Sequence, residues 1–173
     1  AWEVGLGRYP DMRSFTLARC YYFDCSLTLK NFHHLTKINI SKSQGGEVQG
    51  GEVQAGIWGN IFQNSSVPWA VRELQLTAVA LQDLEFLRDM PHLVVLNISR
   101  NPRLEKGEAI GSCTNLRMLN IAQTHIEDAS FLGPLDFNVH TIQVDQVDGY
   151  SHLSVLHTTA MHSLMKLPHL RNL

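Results

Sequence analysis

Nine histidines and three cysteines carry the widest chemical repertoire in this chain, and their spacing leads none of them to a shared site. A metal centre needs several imidazole, thiolate or carboxylate groups converging on one point. Cys20 and Cys25 have no nearby cysteine or histidine set to complete a tetrahedron, and Cys113 stands far along the chain. His157 and His162 lie five residues apart, which does not place them on one helical face. A nucleophilic Ser or Cys would need a strained, glycine-flanked turn and an adjacent base, and no segment has that form. Residues Gly45–Gln49 are repeated at once as Gly50–Gln54, but the Gly-Lys-Ser/Thr of a phosphate loop is missing. The residue types therefore predict no catalytic site, no bound metal and no cofactor.

The elements that position these residues come from a repeat. One frame recurs: apolar, two variable, apolar, one variable, apolar. It is filled by Met12, Phe15 and Leu17, then by Leu35, Ile38 and Ile40, then by Val71, Leu74 and Leu76. Leu93, Leu96 and Ile98 follow, then Leu116, Leu119 and Ile121, then Val139, Ile142 and Val144. A seventh frame starts at Leu170 and Leu173, where the sequence ends. Successive frames begin 23, 36, 22, 23, 23 and 31 residues apart. The alternation reads as a short strand with its apolar residues inside. His34, His92 and His169 each precede a frame, so their recurrence has a structural cause.

This pattern resembles the leucine-rich-repeat superfamily over nearly the whole chain. The closest flavour is the short class of 22–23 residues found in protein phosphatase-1 regulators and many protozoan proteins. Leu81, Leu84, Leu87 and Met90 fit the convex half of such a repeat, as do Ile126, Ala129, Leu132 and Leu135. The departure lies at the ninth repeat position, where the family places an Asn that satisfies backbone groups in the turn. Here that position holds Cys20, Ser43, Val79, Asn101, Thr124 and Val147. Val79 and Val147 have no side-chain hydrogen-bonding group, so irregular turns are expected there.

The resemblance implies an α/β solenoid: a curved parallel β-sheet on the concave face, with helical or irregular segments on the convex face. Residues 1–173 read as one array of about six repeats plus the start of a seventh. No polar cap closes either end, so an excerpt of a longer protein is expected. Residues 44–56 form a Gly-rich, polar insertion, read as a flexible loop. Ile57, Trp58, Ile61 and Phe62 have helical spacing after it, and Pro68 ends that segment. Leu153, Leu156, Ala160, Leu164 and Leu167 predict a second convex helix over residues 151–166.

In this fold the second, third, fifth, seventh and eighth repeat positions face the concave surface. The fifth column is Thr16, Asn39, Gln75, Asn97, Asn120 and Gln143, all uncharged and polar. It either forms a self-satisfied amide ladder or offers donors and acceptors to a peptide. Across the five columns Arg13, Arg19, Lys37, Lys42, Arg100 and Arg117 face Asp145, while Arg72 and Glu73 cancel, giving +5 on a chain whose total is −2. The excess concentrates in the first two repeats. It would either steer an acidic partner or simply keep an exposed sheet solvated. Val94, Val95 and Met118 interrupt the polar columns, as the centre of an interface does.

The resemblance points to a non-catalytic protein–protein interaction module or scaffold subunit, with another protein, acidic in surface, as partner. The candidate contact residues are Arg13, Arg19, Lys37, Asn39, Lys42, Gln75, Val95, Asn97, Arg100, Met118, Asn120 and Gln143. A substrate-recognition or regulatory part of a ubiquitin ligase, GTPase or phosphatase complex is the alternative. RNA binding ranks lower, because interleaved aromatics and a strong basic charge are absent. No apolar run reaches the length needed to cross a bilayer. The odd cysteine count favours reduced thiols and an intracellular, cytoplasmic setting. Sequons at Asn39, Asn64 and Asn97 would matter only in a secreted protein, and repetition itself generates two of them.

Overall fold

A computed structural model describes residues 11–19, 29, 32, 34–42, 61–62, 69–126 and 131, and the backbone of 141–143. The insertion at 44–56, the expected helix at 151–166 and the seventh frame lie outside the described residues. So do Cys20, Cys25, Ser43 and Val147.

Each frame forms a strand. β1 is Ser14–Ala18, β2 Lys37–Ser41, β3 Glu73–Thr77, β4 Val95–Asn97, β5 Met118–Asn120 and β6 Thr141–Gln143. They make one six-stranded sheet in chain order, with every neighbouring pair parallel. The register aligns equivalent frame positions: Phe15, Ile38, Leu74, Leu96, Leu119 and Ile142 are successive partners across the sheet.

The backbone bonds between rungs repeat with the sequence. The carbonyl of the second frame position accepts two successive N–H groups of the next rung. Arg13 takes Thr36 and Lys37, Thr36 takes Arg72 and Glu73, Arg72 takes Val94 and Val95, and Val94 takes Arg117 and Met118. At the strand's far end the eighth-position N–H donates to the seventh-position carbonyl of the next rung, from Arg19 to Ser41, Lys42 to Thr77, Ala78 to Ser99 and Arg100 to Ala122. That eighth residue is left-handed in all five described rungs, with φ of 58, 49, 55, 61 and 60° from Arg19 to Gln123. None is glycine, so each rung carries strain of about 1 kcal/mol to turn the chain off the sheet. The third rung, which has Val79 at the ninth position, needs a second left-handed residue at Ala80. This is the irregular turn expected there.

Behind the sheet the apolar frame positions form the core. From Leu35 to Ile121 all twelve are buried, whereas Met12, Phe15 and Leu17 are only partly so. Full burial of one such side chain contributes roughly 2 kcal/mol, and one rung buries its apolar face only against its neighbours. Among the described residues the convex side carries two short 3-10 turns, Glu85–Asp89 and Glu108–Ser112. Leu81, Leu84, Leu87 and Met90 recur every third residue, which suits a three-residue turn, and all four are buried. Successive turns are tied by Ser112, whose Oγ donates to the Leu87 carbonyl at 3.4 Å. Leu104, displaced by one place after Pro102, still fills the core. Ile61 and Phe62 are helical and buried, and the Phe62 ring stacks on Phe86 at 4.8 Å. Among the described residues no helix is long and apolar enough to cross a membrane.

Candidate functional site

The sheet face opposite the 3-10 turns presents the variable columns. Arg13, Arg19, Lys42, Arg72, Arg100 and Arg117 are exposed on it. Asn39, Gln75, Val95, Asn97 and Asn120 are half-buried beside them. Gln143 pairs in register with Asn120 on β6, where only the backbone is described. Six equivalent strands, one core stripe and one turn conformation thus recur along the chain. The fold is a leucine-rich-repeat solenoid.

No family model matches the chain, and no curated protein matches it. Among solved structures it is similar to an internalin, InlF, of Listeria monocytogenes, at 12% identity and a TM-score of 0.49. That likeness covers 82% of this chain and 44% of the internalin. It is also similar to the plant peptide hormone receptor RGFR1 in complex with RGF2, at 19% identity and a TM-score of 0.45, covering 78% of this chain and 24% of the receptor. The chain therefore spans less than half the length of either protein.

Two of the sequence expectations change on this face. The first concerns charge. Lys37 is not a free cation: its Nζ lies 2.8 Å from Glu73 Oε1, its register partner on β3. Gln75 Nε2 donates to the same Glu73 oxygen at 2.8 Å. The carboxylate thus cancels Lys37, not Arg72, and weakens the basic excess placed in the first two repeats. Frame alignment alone pairs Lys37 with Glu73, so the contact was available from sequence.

The second concerns the seventh column. The frame places the seventh position on the concave surface, yet Ser99 and Ala122 there are both buried, at 7% exposure. The cause is the fifth-position amide. Asn97 Oδ1 accepts from the backbone N–H of Ser99 at 3.1 Å and from its hydroxyl at 2.8 Å. Asn120 Oδ1 accepts from the N–H of Ala122 at 3.0 Å. These Asx-type turns end β4 and β5 at the Asn and fold the next residues inward.

Ending a strand early removes a ladder bond, because parallel pairing would send the Ser99 N–H to the Leu76 carbonyl. Asn101 repairs the loss. Its fully buried amide donates to the Leu76 and Ile98 carbonyls, each at 2.8 Å. Its Oδ1 accepts from the N–H groups of Val79 and Leu81, at 3.0 and 3.1 Å. Thr124 does part of this in the next rung, donating through Oγ1 to Ile121 at 2.8 Å.

Among the described residues one large apolar side chain breaks the exposed polar surface: Met118 is 48% exposed. Val95 is its register partner, and Val94 precedes Val95 on the same rung. Arg72 and Arg117 flank Val94 in the second column; neither was among the candidate contact residues, although the frame had placed both. Elsewhere, the buried Cys113 thiol is pushed up to about 11 by desolvation, so it stays neutral and unreactive near pH 7. On the convex turn Arg88 hydrogen-bonds Glu85 at 2.7 Å and holds that exposed carboxyl below its usual range. Among the described residues no cluster of three metal-ligating side chains occurs.

Proposed function

We propose that this chain is a non-catalytic interaction module that binds a partner protein on the concave face of its sheet. The observation that carries this reading is Met118, half exposed beside Val95. An apolar side chain held at the middle of a polar sheet gains free energy when a partner covers it. The array is taken as one unit over residues 1–173, with 44–56 as its flexible insertion. Binding on a rigid sheet suits a subunit of a larger assembly, because the contact side chains are already ordered.

A photo-crosslinking residue at position 118 tests this, with a second at position 85 on the convex turn. The expected result is one defined adduct in cells from position 118 and none from position 85. Recovery of the same adduct from position 85 alone would move the interface to the opposite side. Replacing Met118 by Glu and reversing Lys42 and Arg100 should reduce recovery of that partner.

A further inference from the structure

Around β4 and β5 the sheet presents donors and one apolar spot, while the Asn97 and Asn120 side-chain oxygens are turned to the backbone. A backbone N–H can bond only to an acceptor, so the Ser99 N–H fixes Oδ1 of Asn97 towards the protein. The Asn97 Nδ2 group then points away from that bond and makes no other among the described residues. Arg72 and Arg117 lie at the start of the rungs, and Arg100 lies just past the end of β4; all three are exposed. Among the described residues only Lys37 and Arg88 pair with a carboxylate. Among the described residues of the face the one carboxylate, Glu73, is held by Lys37 and Gln75.

Across rungs three to five the chemistry therefore runs from the guanidinium groups of Arg72 and Arg117, through apolar Val95 and Met118 and the Asn97 amide donor, to the guanidinium of Arg100. From the second position to the eighth the chain covers roughly 15–20 Å, at ~3.3 Å per extended residue. We infer that the face over β3–β5 takes an extended acidic peptide segment with one central apolar side chain. Its apolar side chain covers Val95 and Met118. A backbone carbonyl accepts from Asn97, and carboxylates on either side meet Arg72 or Arg117 at one end and Arg100 at the other. Charge complementarity selects this occupant: Arg72, Arg100, Arg117 and the Asn97 Nδ2 group have no acceptor among the described residues, and a segment rich in acceptors satisfies them. RNA would also offer acceptors, but the described aromatic side chains are in the core and offer no stacking platform. The inference rests on the interaction-module reading and narrows it.

The test uses the full chain, isotope-labelled for NMR, and three probes. The first is the peptide acetyl-Glu-Asp-Ser-Leu-Ser-Asp-Glu-amide. The second replaces every acidic residue by Lys, and the third is an oligouridylate. The acidic peptide should shift the Met118 methyl, the Asn97 side-chain amide and the Arg72, Arg100 and Arg117 Nε–H signals. Its affinity should fall about tenfold in Met118→Ser and again on replacing the peptide's Leu by Ser. The Lys peptide should shift none of these. Equal shifts with the Lys peptide would overturn the acidic assignment, as would acidic-peptide shifts at Arg13 and Arg19 with Met118 unmoved. Tighter binding of oligouridylate, with arginine shifts and no change at Met118, would assign the face to nucleic acid instead. The crosslink at position 118 separates the two levels: if it persists while the peptide fails, only this narrower inference falls.

Discussion

The two halves of the sheet are built from the same frame yet end their strands differently. β1, β2 and β3 each run five residues, whereas β4 and β5 stop after three. Asn39 and Asn97 occupy the same repeat position, but only Asn97 captures the N–H two residues on. The ninth position of the Asn97 rung is Asn101. Asn101 satisfies the Leu76 and Ile98 carbonyls, so Ser99 and Ala122 are released from the ladder. In the third rung that place is Val79, which cannot serve the Ile40 carbonyl, and the ladder continues to Thr77. One buried amide thus decides where strands end, which side chains turn inward and how donors are displayed on the face.

Removing Asn101 should have the largest effect. Asn101→Ala leaves backbone donors and acceptors unmet in a buried turn, at a cost of about 3–4 kcal/mol. Thr124→Val, with one bond to lose, should cost about 1 kcal/mol. Urea unfolding followed by circular dichroism measures both. Equal losses would mean that Asn101 is no more than one hydrogen bond among many.

A second test addresses the convex wall of the later rungs. A Cβ on Gly107 would stand 2.6 Å from Phe131 Cε1 and 2.8 Å from Cδ1. Phe131 is buried, so its ring cannot swing into solvent. Gly107→Ala should cost about 1–3 kcal/mol through overpacking. Phe131→Leu in the same chain should recover part of it. An unchanged unfolding midpoint for Gly107→Ala would show that this wall yields more than a packed core does.

Much of this was legible from residue types, and what was not has a physical reason. The period of the frame places Ile38, Leu96 and Leu119 at equivalent points, because alternation and repeat length leave no other face for them. The every-third spacing from Leu81 to Met90 marks the convex turn. The identity of Asn101 marks its role through the resemblance. The fate of Asn97 was not legible, since its turn depends on Asn101, a side chain further along the same rung. Nor did a column count show that Lys37 is neutralised, because it tallied charges by rung rather than by register.

The fifth position distinguishes the two halves further. Asn97→Ala should cost about 1 kcal/mol, the worth of the bonds to Ser99. Asn39→Ala makes no such loss and should stay within about 0.5 kcal/mol. A double-mutant cycle of Asn97→Ala with Asn101→Ala goes further. With both amides gone, the Ser99 N–H is free to return to the Leu76 carbonyl, so the pair should cost about 1 kcal/mol less than the sum of the singles. Additive losses would break the link between strand length and the ninth position.

The smallest effect is expected at Lys37, and its size discriminates between the halves as binding surfaces. The pair with Glu73 is partly exposed, at 45% and 29% of the two side chains. Such a bridge contributes a few tenths of a kcal/mol and weakens as salt screens it. Lys37→Ala should therefore barely move the unfolding midpoint. It releases Glu73, however, whose carboxylate then faces the arginines of the middle rungs with only Gln75 to hold it. Affinity for the acidic peptide should fall about two- to threefold, and high salt should erase the difference. The opposite outcome, a larger loss than from reversing Arg100, would return the binding centre to the first two rungs, where the formal charge count alone puts it.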